Sequence, residues 1–589
     1  MHDPNIYYQE HSKRYQSEAD ALYKTMALYS ILRITVFLAT IIGIYFTFSN
    51  WQVAVGITSV GLLIFMVLLS KYTDIKAQRQ LKLALTTINK AELEISSGNF
   101  HDRDQGLVFQ DPLHFYSLDI DLFGRGSFFQ FINRTVINEG AQQLSTALKA
   151  NDIQNIEKKQ NAIKELASKT EWRQLYSATA SLIAVETSAK TIINWLKTHQ
   201  SFLPKTIKWL PYAFFGGTIV MFTLFFLERI NIGFLGYWLL FGLFITGAYL
   251  KKINELSFHT AKVKETFKQY TLLLKQIENE TFTSKLLSEK QKNIRSESEK
   301  ASDIFIKLSN ALDALDNRNN LISAIFGNGF LLTDLKNSYK VEQWLVAYKD
   351  KVEDWFEVVS FFDAYNSLGT YAFNHPDYTF PEIIDSDHVI KAKQLGHPLL
   401  KIEKRVDNDL TIDNEQFFIV TGANMAGKST FLRTVSLHIV MANVGLPVCA
   451  NASEYNPVKL IPRMRTLDSL TDDSSYFFSE LTRLKFIVDA IQKEPYFIIL
   501  DEILKGTNST DKAIGSRKFV EKLVASNATG IIATHDLSLC EIENELEDVK
   551  NYYFDAEIIN DELYFDYIFK TGVCKNMNAS FLLKKMEII

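Results

Sequence analysis

Hydrophobic and polar positions along this chain fall into three successive patterns. The first is the long apolar run. Residues 31–48 are almost wholly apolar and 53–69 are apolar again, and a second pair of runs occupies 210–227 and 233–250. Each run has about the ~20-residue length that a helix needs to cross a bilayer. Ser49-Asn50-Trp51-Gln52 joins the first pair and Glu228-Arg229-Ile230-Asn231 the second, so each pair predicts a helical hairpin. Arg33 lies near the start of the first run, where its long stem lets the charged head reach the interface. Lys71, Lys76 and Arg79 follow the first pair, while Lys205, Lys208, Lys251 and Lys252 bracket the second. Under the positive-inside tendency both hairpins dip into the membrane from the cytoplasm and return. The alternative is a pair of buried core hairpins in a large soluble protein; the basic brackets favour membrane insertion.

The second pattern has helical period. Residues 73–100 predict a charged amphipathic helix ending at Ser96-Ser97-Gly98-Asn99, and 118–150 has apolar residues at helical spacing, punctuated by Gly124, Gly126 and Gly140. Residues 152–200 contain no Gly or Pro and predict mainly helix, and 253–322, also without either, a further long helical stretch. In the latter, Lys262, Lys264, Glu265, Lys268, Lys275 and Glu278 read as a solvated face, with a nucleic-acid contact as the alternative. Gly327 and Gly329 mark a turn, and 338–368 predicts helix with an apolar stripe through Trp344, Leu345, Trp355 and Phe361, whose tryptophans suit packing. Pro376 and Pro381 close this region. The third pattern starts at about 388, where short apolar strands alternate with helices, the mark of an α/β domain.

The expected layout is therefore an N-terminal helical segment over 1–100 with a hairpin at about 31–70, and a helical core over 101–204. A second hairpin follows over 205–252, then further helices over 253–385 and an α/β domain over 386–589. A chain of 589 residues has room for these parts, and 47% hydrophobic with 22% charged residues suits a folded protein. The net charge of −5 gives no global case for nucleic-acid binding, so any such surface must be local. Residues 1–25 lack the apolar core and cleavage pattern of a signal peptide. Cys449, Cys540 and Cys574 are few and widely spaced, which suggests neither a disulfide framework nor a zinc site and fits a reducing cytosol.

The candidate chemistry lies in the α/β part. Phe417-Phe-Ile-Val-Thr421 has strand character, Gly422-x-x-x-x-Gly427-Lys428-Ser429 follows, and helical spacing resumes to Leu437. Strand, glycine loop and helix in that order are the context of a phosphate-binding P-loop. Glycines let backbone N–H groups turn towards phosphate oxygens, and the helix N-terminus adds partial positive charge. The loop from Gly422 through Ala423, Asn424, Met425, Ala426 and Gly427 to Thr430 would cradle the nucleotide. Lys428 would pair with the β- and γ-phosphates and Ser429 would hold Mg²⁺. Tyr496–Leu500 is a second apolar strand with Asp501-Glu502 at its carboxyl end, where open α/β sheets place ligands. Asp501 suits the metal shell, and Glu502 the water that attacks the terminal phosphate. A third strand, 530–534, delivers His535 to the same edge as a γ-phosphate contact.

These residues carry a specific likeness. Thr421-Gly-Ala-Asn-Met-Ala-Gly-Lys-Ser-Thr430 resembles the P-loop of the MutS family of DNA mismatch-repair ATPases. Leu500-Asp-Glu-Ile503, the segment Gly506-Thr-Asn-Ser-Thr-Asp511, and Ala533-Thr-His-Asp536 are similar to its later motifs. Ser475-Tyr-Phe-Phe-Ser-Glu-Leu481 resembles its signature segment, which in that family completes the site of the opposing subunit. Gly396-His397-Pro398 resembles the start of its ATPase domain, and 131–140 with 160–166 the start of its helical core. The resemblance implies a P-loop ATPase domain of the ABC/MutS type behind an all-α lever domain. It also implies ATP with Mg²⁺, a homodimer closing on nucleotide through the ATPase domains, and DNA as a partner. Ser475 and Asp511 enter the nucleotide site on this ground.

The departures are informative. Ala423 and Ala426 stand where the family has proline and glycine, and Asp473 and Ser474 where glycine and arginine precede the signature serine. A carboxylate at 473 would repel a γ-phosphate. The first hundred residues leave no room for a Phe-x-Glu mismatch wedge, so mismatch detection does not carry over. Three functions remain in view: a MutS-like ATPase anchored in the cytoplasmic membrane with its ATPase domain in the cytoplasm; an ABC-like ATPase driving transport or membrane remodelling without DNA; and a nucleotide-gated tether.

Overall fold

A computed structural model describes residues 3–183, 185, 187–295, 299–316, 318, 320–464, 476–504, 508–559 and 562–574. Two antiparallel helices open the chain, α1 (Pro4–Thr47) and α2 (Trp51–Ser96). Pro4 stands in the first turn, where its missing N–H costs nothing, and the Asp3 carboxylate caps it by accepting from Asn5 N. The sequence pattern separates an apolar run from an amphipathic one at about residue 72, whereas α2 continues through that point without a break. Nothing there interrupts the i→i+4 ladder, and only the surroundings of the helix change. The lower part packs on the body through Tyr8, Tyr15, Ala19, Leu85 and Ile95. The upper parts of both helices each hold an apolar 18-residue window that lies outside the protein interior.

A helical body follows, built from α3 (Phe128–Ile132), α4 (Asn138–Lys149), α5 (Ile156–Ser168), α6 (Thr170–Ser181) and α7 (Ala189–Thr198). The expected helix over 118–150 is shorter than its spacing suggests, because Gly124 and Gly126 take positive φ and the chain turns there. The apolar pair α8 (Leu210–Phe226) and α9 (Ile232–Gly247) comes next. Both are shorter than the expected spans. Among the described residues two helices, α1 and α2, are long and apolar enough to cross a membrane, or three if α9 and the helix after it, bent by 64°, form one span.

That next helix is α10 (Leu250–Asn279), and α11 (Lys285–Lys292), α12 (Ala301–Asp316), α13 (Leu321–Leu331), α14 (Thr333–Tyr348) and α15 (Val352–Asn374) complete the body. Two expectations need correction here. Gly327 and Gly329 lie inside α13, not in a turn. Glu278 is not on the solvated face: it is buried and accepts hydrogen bonds from Ser302 N and Oγ, and burial raises its pKa. Trp344 and Trp355 are buried packing residues, as their spacing suggests.

The α/β part holds two sheets. β1 (Glu382–Ile383), β2 (His388–Leu395), β3 (Asn408–Asp413) and β5 (Ala452–Tyr455) form a small one in the order β1-β5-β2-β3. The larger has β4 (Phe417–Gly422), β6 (Lys459–Arg463), β7 (Tyr496–Asp501), β8 (Thr529–Ala533), β9 (Val549–Phe554) and β12 (Lys570–Thr571), in the order β12-β9-β4-β8-β7-β6. Its five strands from β9 to β6 are parallel. β4 and β8 are buried along their whole length, which is why both read as unbroken apolar runs. The helices of this part are α16 (Lys428–Val444), α17 (Tyr476–Ile491) and α18 (Ser509–Val524), and β10 (Glu557–Ile559) pairs with β11 (Glu562–Tyr564).

Body and α/β part share one hydrophobic cluster, running from Tyr116 through Phe267 and Phe362 to Leu432 and Ala533. Inside the body, Asp363 of α15 is fully buried and accepts from Val136 N (3.0 Å) and Ile137 N (3.1 Å), fixing the chain entering α4. A Cβ at Gly140 would stand 2.1 Å from that carboxylate, so only glycine fits. Gly140→Ala should destabilise the protein by about 1–3 kcal/mol, read as a lower melting temperature. Burial pushes the Asp363 pKa up to about 7, above an unfolded value near ~4. Its contribution is then full below about pH 4 and lost as pH rises through about 7. Between pH 5 and 8, Asp363→Asn should show a flatter fall in melting temperature than the parent.

Candidate functional site

The carboxyl ends of β4, β7 and β8 lie side by side, and each delivers one part of the site. β4 ends in Gly422 at φ +152°, where a Cβ would stand 2.7 Å from the Phe554 carbonyl oxygen. The loop then closes through Met425 at φ +69° and Gly427 at φ +101°. Gly427 gives way directly to α16, so the helix N-terminus opens on the loop. Ala423 and Ala426 are buried beneath it, whereas Asn424, Met425, Ser429 and Thr430 are exposed.

Lys428 is buried, and its Nζ donates to the carbonyls of Gly422 (2.8 Å) and Ala423 (3.0 Å). Burial lowers its pKa, while the carboxylates of Glu502 and Asp501 oppose that shift. Ser429 Oγ donates to Asp501 Oδ2 at 2.7 Å, a contact between the first turn of α16 and the end of β7. His535 Nε2 stands 2.9 Å from Glu502 Oε1 and 3.3 Å from Lys428 Nζ. That nitrogen thus faces an acceptor on one side and a donor on the other, and its proton decides which bond forms. Glu502 has φ +47°, a conformation costing about 1–3 kcal/mol that is held by its N–H on the Ala533 carbonyl (3.0 Å).

Around this cluster lies a cavity of about 650 Å³. Residues 423–430, Glu502 and His535 line one side. Asp511 does not line it; it sits in the first turn of α18, where its N–H donates to Asn508 Oδ1 at 2.8 Å. Ser475 lies outside the described residues, as do Asp473, Ser474, Gly506 and Thr507. Of the opposite wall only His397 belongs to a motif singled out in the sequence, Gly396-His397-Pro398, and there it marks the start of the domain and not the site. His397, Leu400, Lys404 and Val406 come from the loop between β2 and β3, and Tyr567 arrives from the chain before β12. Burial and the nearby Arg433 push the His397 pKa down to about 4, so this wall presents a neutral imidazole near pH 7. Asn408 holds Tyr567 in place by donating to its carbonyl at 3.0 Å.

Behind the acidic pair, Glu480 of α17 is buried and accepts from Leu504 N at 2.8 Å. One turn on, Arg483 donates to the carbonyls of Phe115 and of Pro462 (3.3 Å), and Asp119 accepts from Met464 N (2.7 Å). The spacing of 480 and 483 puts both on one helix face, the only sign of this link in the sequence.

Fold and site together define an open α/β domain with its functional edge at the carboxyl ends of parallel strands. Comparison with known proteins bears on this part of the chain: residues 418–585 match MutS domain V, the ATPase domain of the MutS family. It is 31% identical over 224 residues to the MutS protein homolog 4 of Homo sapiens, covering 36% of this chain and 23% of that protein. It is 34% identical over 197 residues to the DNA mismatch repair protein MutS of Acetivibrio thermocellus, covering 32% and 22%. With that of Fusobacterium nucleatum it shares 33% over 235 residues, covering 36% and 26%. The chain thus spans about a quarter of the length of the curated relatives it matches.

Removing the Glu480 carboxylate leaves the Leu504 N–H without its partner, a cost of about 1–3 kcal/mol. Glu480→Ala should therefore lower the melting temperature, while Glu480→Gln, whose amide oxygen can still accept from Leu504 N, should recover most of the loss, measured by thermal unfolding.

Proposed function

We propose that this chain is a membrane-anchored, Mg²⁺-dependent ATPase of the MutS type, whose nucleotide cycle drives a dimer between conformations acting on DNA. The observation that carries this reading is the convergence of Lys428, Ser429–Asp501 and Glu502–His535 on one loop edge. The residues present suit a triphosphate. Lys428 Nζ, now on two loop carbonyls, lies where it can turn to the β- and γ-phosphates. Loop N–H groups and the α16 N-terminus favour the same charge. Ser429 and Asp501 would hold Mg²⁺, which supplies charge neutralisation on the phosphate oxygens when bound. Glu502 is placed to orient the attacking water and take its proton, and His535, bonded to Glu502, to report the terminal phosphate. The wall formed by His397, Leu400, Val406 and Tyr567 suits a flat base.

The exposed apolar windows of α1 and α2, with the basic residues flanking both hairpins, support an anchor in the cytoplasmic membrane with the ATPase domain in the cytoplasm. The names of the relatives support DNA as the partner, and the family likeness supports a homodimer through the ATPase domains.

The test is ATP turnover of purified protein with and without branched, mismatched and perfect duplexes. Turnover is expected to rise with DNA. Glu502→Gln should lower kcat by about 10²–10⁴-fold, the usual share of a general base. Lys428→Ala should weaken ATP binding by about 10- to 100-fold, since a charge-assisted bond contributes about 1.5–3 kcal/mol. Turnover that responds to lipid but not DNA would support membrane remodelling or transport instead, and binding without turnover a nucleotide-gated tether.

A further inference from the structure

Helix α13 is out of character with the body around it. Its sequence, LISAIFGNGFL, carries no charge, and Leu321, Ile322 and Phe326 are 73%, 69% and 54% exposed. It does not pack as a surface helix of the body but crosses the α8–α9 hairpin at van der Waals range. A Cβ at Gly242 of α9 would stand 2.3 Å from the Gly329 carbonyl oxygen, and one at Gly329 would stand 2.6 Å from Leu239 Cγ. Glycine at both positions is what lets the two helices touch, the small-residue packing typical of helices in lipid.

The polar groups at the ends of α13 are answered from within. Asn320 Oδ1 accepts from Ile322 N and Ser323 N, and buried Asn328 Oδ1 accepts from Asp334 N at 2.9 Å. Phe330 lies in the last turn, where its carbonyl lacks a partner in the helix. Thr218 Oγ1 of α8 donates to that carbonyl at 2.7 Å and accepts from Trp238 Nε1 of α9 at 2.9 Å. One hydroxyl therefore ties three helices together. Backbone facing hydrocarbon must have its polar groups paired in this way, whereas backbone facing water need not.

On the hairpin Phe215, Ile219, Phe226, Phe241 and Phe244 are also exposed, and Phe215, Ile219 and Phe226 line one apolar groove with Phe326 of α13. Exposed apolar side chains grouped in this way mark a surface that meets something other than water. At its margin Lys336 Nζ lies 5.0 Å above the Tyr212 ring, next to exposed Trp209, the aromatic and basic residues of a membrane–water interface.

We propose that α13 is a third membrane element of this part of the chain: α8, α9 and α13 insert as one unit, with Leu321, Ile322, Ile325 and Phe326 against lipid acyl chains. The inference rests on the proposed membrane insertion of α8 and α9. Its root is the Arg318–Asp334 ion pair (3.2 Å), which bridges the two chain segments flanking α13.

The test places a single NBD-labelled cysteine at Ile322 or Phe326 of the full chain in phosphatidylcholine–phosphatidylglycerol vesicles. Phe241→Cys on α9 and Val346→Cys on α14 are references. The native cysteines are buried, and the parent protein sets their labelling background. Doxyl-lipid quenching at 322 and 326 is expected to equal that at 241 and exceed that at 346 several-fold, with iodide having the reverse order. Iodide quenching at 322 and 326 together with lipid quenching at 241 overturns the inference and leaves the hairpin in the membrane. Iodide quenching at 241 as well overturns the membrane reading beneath it. Shielding of 322 and 326 from both quenchers indicates a second copy over this face and also overturns the inference.

Discussion

Burial of α16 on every side beyond its first turns is the constraint on which the rest of the structure depends. Its buried residues run without a break from Thr434 to Val444, so this part of the helix has no solvent face. One end opens on the glycine loop; the other abuts α5, where a Cβ at Gly445 would stand 2.7 Å from Lys159 Cβ. Lys159 Nζ closes this end by donating to the Asn443 carbonyl at 3.2 Å, among the last carbonyls of the helix. A helix packed this tightly does not deform smoothly: it shifts as a unit or not at all. Whatever occupies the loop edge therefore bears directly on α4 and α5 of the body.

A second connection runs beside it. The acidic pair at the end of β7 is followed by Leu504, held by Glu480, and the same face of α17 reaches Phe115 through Arg483. The Ser429–Asp501 contact joins the two connections at the site itself. The body is thus fastened to both halves of the cluster, the loop half through α16 and the carboxylate half through α17. A change in distance between Ser429 and Asp501 is a change in the relation of two fixed points on the body.

How much of this is legible in the chain depends on how local each cause is. β4, β7 and β8 are legible because strands buried on both faces must be apolar throughout, and their carboxyl ends place Lys428, Asp501, Glu502 and His535 without further information. Tyr567 and His397 come from segments 170 residues apart in sequence, and no local pattern reports that they share a wall. The turn expected at Gly327 and Gly329 follows glycine's usual role; here Gly329 serves close approach to α9, a tertiary reason invisible along the chain. Glu278 likewise has the spacing of a solvated residue, yet it is buried with Ser302, distant in sequence, donating to it.

The unbroken course of α2 sets the mechanical character of the N-terminal hairpin. At 46 residues it is about 69 Å long, and α1 runs alongside it with only a short turn between them. Its foot is joined to the body where Glu92 meets Arg134 and Asn374, and where Asn89 exchanges hydrogen bonds with Gln174. A continuous helix without a proline has no built-in break at which to absorb a tilt applied at its foot. The displacement is magnified along its length instead, and the far tip sweeps through more space than any movement at the base.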